Sequence, residues 1–281
     1  MTAQELNKLS ITACKVRMGI IESTHAAKCG HPGGSLSAAD MFTYLYFKAL
    51  NVDPANPKWA DRDRFVLSKG HTAPGLYSAL ALRGFFPVED LLRLRKIDSY
   101  LQGHPNMNTV PGVDMSTGSL GQGISTACGM ALAAKTQGKS YRVYTLLGDG
   151  EIQEGQVWEA CMLASHYKLD NLCVIIDNNG LQIDGDVSKV MSPYPIVEKL
   201  EAFGFHVQAI DGHDMAQIDA AMEQIKTVKG QPSAIVMKTV KGKDVSFMEN
   251  LASWHGVAPN QAQYEQAMAE LNALAAELEG M

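Results

Sequence analysis

Two short stretches hold the residues with the clearest chemical purpose. In LLGDGEIQEGQVWEA, from Leu146, apolar residues run into Gly148-Asp149-Gly150. In LCVIIDNNGLQIDG, from Leu172, a second apolar run ends in Asn178-Asn179-Gly180. Asp149 offers a carboxylate oxygen and Asn179 an amide oxygen, hard donors that suit Mg²⁺ or Ca²⁺ rather than zinc. Two protein oxygens do not fill an octahedron, and Mg²⁺ sites of this type are completed by phosphate oxygens and water. Gly150 has no side chain, so its N–H can approach a phosphate closely. The competing reading makes Asp149 a helix cap and the glycines a simple turn. Gly-Asp-Gly alone favours that reading. Asn179, 30 residues on and at the end of the next strand, reverses the preference.

The two residues meet only if their strands are neighbours, and the chain is patterned for that. From residue 118, helix and strand patterns alternate: helix at 121–138, strand at 141–149, helix at 154–168, strand at 172–179, helix at 195–204, strand at 205–211, helix at 215–228 and strand at 232–240. Such alternation predicts a doubly wound, mostly parallel α/β sheet with helices on both faces. Ligands of these sheets bind beyond the carboxyl ends of the strands, where Asp149 and Asn179 fall. Upstream, Leu6, Leu9, Ala13, Val16 and Ile20 have helical spacing over residues 4–28. CGHPGGSLSAAD breaks that helix. A second helix is expected over 35–50, capped by Ser35 or Ser37 with Asp40 near its first turn. RFVLS at 64–68 reads as a strand, and 72–84 and 88–97 read as helices. One α/β domain is expected over residues 1–258, with a C-terminal helical tail over 259–281.

Composition narrows the function. The 281 residues are 46% hydrophobic and 19% charged, with a formal net charge of −6. That acidity argues against nucleic acid as a partner, while leaving room for a local anion site built from backbone N–H groups and histidines. The five cysteines, Cys14, Cys29, Cys128, Cys161 and Cys173, form no C-x-x-C pair, and their odd number fits free thiols in a reducing cytoplasm. MTAQELNKLS lacks a signal-peptide profile, and no apolar run is long enough to span a membrane.

Of the eight histidines, His31, His71 and His104 each follow a glycine, and His255 precedes Gly256. Glycine-flanked loops bring an imidazole and the backbone close to a ligand. His166 and His206 sit in periodic runs, and structural roles are favoured for them, as for His25 and His213. Cys161 and Cys173, on an expected helix and strand, are read as core.

GDGEIQEGQVWEACMLASHYKLDNLCVIIDNN resembles the thiamine-diphosphate motif, which opens with GDG and closes with NN. CGHPGGSLSAAD, DRDRFVLSKGHTAPGLYSAL, GHP at 103–105 and STGSLGQGIS resemble, in the same order, the diphosphate-binding domain of transketolase, over about residues 10–258. SKGH with TGSLGQG disfavours deoxyxylulose-phosphate synthase and the α chain of pyruvate dehydrogenase. The resemblance implies the thiamine-diphosphate-binding fold of diphosphate type. It implies that Mg²⁺, for which Ca²⁺ or Mn²⁺ can substitute, is held by Asp149, Asn179 and the Leu181 carbonyl. His71, His255 and the Gly150 N–H would contact the diphosphate, and Gly118 and Leu120 would line the aminopyrimidine and thiazolium side. His31, His104 and His255 would surround the reacting carbon and substrate hydroxyls, and Glu154 would join a carboxylate network reaching a partner's catalytic glutamate. Lys69 stands where the family often has asparagine, and the resemblance implies no role for it.

The family moves a two-carbon ketol unit from a ketose phosphate to an aldose phosphate. Its glutamate beside the cofactor's pyrimidine ring, and most of its substrate-phosphate arginines, belong to domains that nothing after residue 258 resembles. The resemblance therefore implies the N-terminal subunit of a split transketolase. Its partner would be a C-terminal subunit carrying the pyrimidine-binding and C-terminal domains, in an α₂β₂ assembly. Two other readings stand beside it. One is a subunit of a transketolase-like enzyme for a sulfonated or branched sugar. The other is a non-catalytic thiamine-diphosphate-binding regulatory subunit, against which the intact His31, His71, His104 and His255 argue.

Overall fold

The computed structural model describes residues 1–280. Five parallel strands form the central sheet: β1 (Arg64–Leu67), β2 (Val143–Gly148), β3 (Leu172–Asn178), β6 (His206–Asp211) and β7 (Ser233–Lys238). Their order is β1-β2-β3-β7-β6. β2 and β3 are direct neighbours, with Gly148 opposite Asp177. That register brings the two stretches with metal-ligating potential side by side. Two short antiparallel strands, β4 (Leu181–Gln182) and β5 (Gly185–Asp186), form a hairpin just past β3.

The strands carry apolar residues on both faces, as a sheet covered on both sides requires. Tyr144, Leu146, Cys173, Ile175, Ile235 and Met237 point to one side. There they pack with α1 (Ala3–Ala27), α3 (Ala39–Tyr44), α4 (Ala73–Arg83), α9 (Met215–Thr227) and α10 (Gln261–Glu279). Val143, Leu147, Val174, Ile176, Ala234 and Val236 alternate with them and face α5 (Gln122–Thr136), α6 (Gly155–His166) and α8 (Ile196–Ala202). The remaining α-helices are α2 (Pro32–Ser37) and α7 (Val187–Val190). Cys161 and Cys173 are fully buried in these cores. Leu271 of α10 shares the first core with Leu9 and Ala13 of α1, so the C-terminal helix docks on the N-terminal one. No described helix is long and apolar enough to cross a membrane.

Two helical expectations are corrected. The segment expected as one helix over 35–50 begins earlier, at Pro32, with His31 as the residue before it. Proline suits a first helical position, where its missing N–H costs nothing. Ser35 and Ser37 therefore lie inside α2, Ser35 donating to the His31 carbonyl and Ser37 turned toward β3, rather than capping a helix. The chain then breaks at Ala38, continues as α3 and closes in a π-helical turn at Leu45–Ala49. The segment expected as a helix over 88–97 is a 3₁₀ helix at Val88–Arg93. Only Leu91 and Leu94 are buried there, three residues apart, and that spacing falls on one line in a three-residue turn.

Candidate functional site

A cavity of about 370 Å³ opens at the carboxyl ends of the parallel strands, and Gly34, Lys69, His71, Gly118, Leu120, Asp149, Gly150, Glu154, Asn179, Leu181, Lys241 and His255 line it. Four of the five strands contribute residues just past their carboxyl ends, and the edge strand β6 contributes none. β1 leads to Lys69 and His71, β2 to Asp149 and Gly150, β3 to Asn179 and Leu181, and β7 to Lys241. All the sequence-derived candidates except His31 and His104 border this space.

Asp149 is 2% exposed. Its carboxylate accepts only backbone N–H groups, from Gly150 at 2.8 Å and Gly180 at 2.5 Å. Gly180 can turn its N–H inward because it holds the left-handed conformation that glycine tolerates (φ 78°). Burial, and then the charge of Asp177, push the Asp149 carboxyl up to about 6. No cationic side chain lies within ion-pair distance of it among the described residues. It is a buried carboxylate without a counter-charge.

Asn179 is oriented from behind. Its Nδ2 donates to Asp177 at 3.1 Å and to the Ser37 hydroxyl at 3.3 Å, and its Oδ1 accepts from the Leu181 N–H at 3.1 Å. An ionised carboxylate only accepts, so Asp177 dictates which end of the amide turns away from it. Asp177 is fully buried and also accepts from Ser37 at 2.5 Å, from Thr239 and from Lys69. Burial alone would raise its carboxyl, but the Lys69 ammonium holds it below the usual range. Lys69, left without a role by sequence, is thus the counter-ion of the residue that orients Asn179, and its Nζ also donates to the Gly34 carbonyl at 3.3 Å.

Lys241 is the residue that sequence reasoning missed. It is 2% exposed, and its Nζ lies 3.2 Å from the Leu181 carbonyl and 3.0 Å from Nδ1 of His255. No carboxylate pairs with it among the described residues. Burial, and then the neighbouring charge of Lys69, lower its ammonium to about 8. Its position just past β7 is the same signal that marks Asp149 and Asn179.

Four histidines form one cluster. His71 and His255 stack at 5.1 Å between ring centroids and face the cavity. His31 sits across them, 5.2 Å from His71, 5.5 Å from His255 and 6.4 Å from His104. The Nδ1 atom of His31 is buried with no protein partner. Burial lowers all four: His71 well below the ordinary imidazole value, His255 to about 3 with help from Lys241, His31 to about 4 and His104 by a smaller amount with help from Arg95. The rings are therefore neutral near pH 7, able to donate from one nitrogen and accept at the other. His104 lies on Gly118, where a Cβ would come 3.4 Å from the ring.

The two glutamates after Gly150 diverge. Glu151 is buried and accepts from Ser68 at 2.5 Å and from the N–H groups of Gly121 and Gly148, each at 3.0 Å, so it ties the start of α5 to the end of β2. Glu154 precedes α6, lines the cavity and packs beside Gly121, where a Cβ would lie 2.8 Å from its own.

The donor set fits a phosphate-bound cation. Among the described residues, no three His, Cys, Asp or Glu side chains gather as a metal centre. A divalent ion at Asp149, Asn179 and the Leu181 carbonyl would instead draw further oxygens from a ligand, and Lys241 and the Gly150 N–H would face that ligand's anionic groups.

The family described as transketolase, thiamine diphosphate binding domain, matches residues 8–274. The chain is 44% identical over 271 residues to the 6-deoxy-6-sulfo-D-fructose transketolase subunit SqwG of Clostridium sp. (strain MSTE9), covering 96% of this chain and 98% of that protein. It is 41% identical over 268 residues to one subunit of the apulose-4-phosphate transketolase of Phocaeicola vulgatus, covering 95% of each. Human transketolase is 45% identical over 273 residues, which are 95% of this chain but 42% of that protein. Among solved structures, transketolase from Campylobacter jejuni superposes with a TM-score of 0.84 at 33% identity, over all of this chain and 48% of that one. Transketolase from Pichia stipitis in complex with sedoheptulose 7-phosphate superposes with a TM-score of 0.87 at 30% identity, over 98% of this chain and 45% of that one. By sequence and by fold, the chain belongs to the transketolase thiamine-diphosphate-binding domain family.

Proposed function

We propose that this chain is the N-terminal subunit of a split transketolase. With a separate C-terminal subunit it transfers a two-carbon ketol unit from a ketose phosphate to an aldose phosphate, using thiamine diphosphate and Mg²⁺. One observation carries the reading. A single cavity holds a buried carboxylate without a cation and a buried ammonium without an anion. A diphosphate bridged to a divalent ion satisfies both at once. Asp149, Asn179 and the Leu181 carbonyl would hold the ion, and Lys241, His71, His255 and the Gly150 N–H would hold the diphosphate. Gly118 and Leu120 would border the rings. The bound cofactor supplies the carbanion chemistry that cleaves and remakes the bond beside the sugar carbonyl.

This chain's own part is to bind, orient and move protons. His31 and His104 lie at the outer end of the cluster and His255 lines the cavity beside them, and a sugar carbonyl and its hydroxyls would lie among the three. Their neutral rings can donate to an oxygen as it gains negative charge and take the proton of a hydroxyl as it becomes a carbonyl. Glu154, at the other wall, would link to the partner's carboxylate. The length of the match to proteins named as transketolase subunits supports a two-chain enzyme. We further place it in the cytoplasm as an α₂β₂ assembly.

A second reading concerns the sugar. Two of the relatives are named for a sulfo-fructose and for apulose 4-phosphate, which favours a sulfonated or branched substrate. Purifying the chain with its partner and assaying a panel of ketose donors tests both readings. Ketol transfer should require both chains, the cofactor and Mg²⁺. Robust turnover by the isolated chain would refute the split-enzyme reading, and failure of the reconstituted pair on every donor would refute the catalytic one.

A further inference from the structure

Beside the cavity, one arginine is placed with unusual care for an exposed residue. Arg95 holds a left-handed backbone conformation (φ 58°) that non-glycine residues adopt sparingly, fixed by its N–H donating to the Leu101 carbonyl at 2.8 Å. From there its guanidinium lies flat against Gly103. A Cβ on that glycine would come 2.4 Å from Cζ of Arg95, and Nη2 approaches the Gly103 carbonyl at 3.4 Å. The residues on either side of Gly103 are pinned from within, because the Tyr77 hydroxyl is shared between the carbonyls of Gln102 at 2.9 Å and His104 at 3.1 Å. Three successive residues ending at His104 are thus held by two side chains. No carboxylate lies within ion-pair distance of Arg95 among the described residues, so its charge is not spent on a neighbour.

We propose that Arg95 is the positioning residue of His104: it clamps the Gln102–His104 turn and keeps a standing positive charge beside the outer histidines, His104 and His31, where the sugar is met. A fixed cation disfavours a second one nearby, so it helps hold both rings unprotonated. The groups that act on His104 are Arg95 and, across the cluster, His31. Those that act on His31 are Arg95, His104 and Lys241, with His71 and His255 packed against it. Tyr77, from α4, meets the same turn through its hydroxyl. Arg95, packed on the Gly103 backbone next to His104, is exposed to solvent, whereas Lys241 is buried. Its effect should accordingly weaken in salt, as that of an exposed charge does.

The inference rests on the transketolase reading only for its consequence in turnover, and its first test needs no activity. Histidine ring signals of the isotope-labelled full chain, assigned with His104→Gln and His31→Gln, are titrated in the wild type, Arg95→Met and Arg95→Lys. In Arg95→Met the midpoints of His104 and His31 should rise by about half a pH unit, and high salt should narrow the gap. Arg95→Lys should keep the midpoints near wild type, while the Gly103 amide signal moves because the flat guanidinium is gone. In the reconstituted enzyme, the acid limb of kcat/KM should shift to higher pH in Arg95→Met and stay in place in Arg95→Lys. Unchanged midpoints in Arg95→Met would overturn the proposal. So would a raised KM for phosphorylated donors over neutral ones with unmoved midpoints, which would make Arg95 a contact for the sugar's anion instead. If the wild-type pair transfers no ketol unit, the functional reading falls, and the titrations still decide the role of Arg95.

Discussion

Two clusters of buried charge lie in this fold, and they are finished differently. Between α1 and α3, Arg17 forms a two-point pair with Asp40, at 3.2 and 2.5 Å, and its Nε lies 3.2 Å from Asp244. His213 donates from Nδ1 to Asp40 at 2.7 Å and accepts the Val240 N–H on Nε2 at 2.9 Å. Each of these charges ends on another protein group. At the carboxyl ends of the strands, Asp177 and Lys69 close on each other in the same way. Asp149 and Lys241, in the same cavity, do not. Burying a charge costs heavily unless it is paired. A closed cluster therefore reads as architecture, and an open one as a site waiting for a ligand of opposite charge. The distinction separates residues that composition and burial alone would class together.

The sharpest way to break this comparison is to remove the open carboxylate. Asp149→Ala should take Mg²⁺-dependent binding of thiamine diphosphate below detection in calorimetry of the chain assembled with its partner. Without cofactor, its effect on stability should depend on pH. The buried carboxyl is pushed up to about 6, so its ionised form costs stability. The cost is absent below about pH 4, grows as pH rises towards 6 and is complete above it. The melting temperature of the cofactor-free variant should accordingly rise by a few degrees relative to the wild type between pH 4 and pH 7.5, by differential scanning calorimetry. Undiminished cofactor affinity would remove Asp149 from the metal site.

Opening the closed cluster should do the reverse. Arg17→Met leaves Asp40 buried with its main partner gone, and urea unfolding should show a loss of about 3–5 kcal/mol. Cofactor affinity, measured below the variant's melting temperature, should stay near wild type. A loss under about 1 kcal/mol would show that this cluster is not the structural element its geometry suggests.

Within the histidine cluster the comparison becomes finer. His104→Ala should lower kcat on the order of 100-fold and weaken donor binding, with cofactor affinity nearly unchanged. His71→Ala should mainly weaken cofactor binding. Equal losses of cofactor affinity in both would show that the inner and outer rings share one role. The smallest effect is at acid pH. Burial would raise the Asp40 carboxyl, but Arg17 and then His213 bring it down to about 2. A lowered carboxylate contributes stability above its ordinary value of about 4 and loses it as pH falls through its folded value. Asp40→Asn should therefore flatten the fall in unfolding free energy between about pH 4 and 2, and an unchanged slope would place the acid sensitivity elsewhere.

Much of this was legible in the sequence for identifiable reasons. Parallel strands covered on both faces must be apolar throughout, so 143–148, 172–178 and 233–238 announce themselves as runs. Asp149 and Asn179 end two such runs, and only strand ends place polar residues at a common rim. Lys69 and Lys241 carry the same signature, but a lysine after a strand also reads as a solvated turn. What distinguishes them is burial, set by chain segments distant in sequence: Asp177 beside Lys69, and the Trp254–His255 segment over Lys241. The break at Ala38 and the 3₁₀ turn at Val88–Arg93 were hidden for a related reason. At Val88–Arg93 a helical hydrophobic period survives the change of pitch because only Leu91 and Leu94 need to face the core, and around Ala38 every residue is buried, so no polar face marks the break.

The β4–β5 hairpin gives the site a kinetic character. It carries the Leu181 carbonyl on strands two residues long, and Ile183 at its tip is 66% exposed. It hangs on a few polar contacts: Lys241 to Leu181, Gln153 to Gln182 at 2.6 Å, and Val187 to the Gly180 carbonyl at 3.0 Å. Asp149 and Asn179, by contrast, sit at the ends of core strands that open only with the whole domain. One oxygen of the proposed coordination sphere thus belongs to the easily opened part of the molecule and two to the rigid part. Binding would then convert local unfolding freedom at the hairpin into cofactor residence time. Amide exchange at the hairpin should be fast in the free chain and slow with the loaded site, while exchange in β2 and β3 stays slow in both.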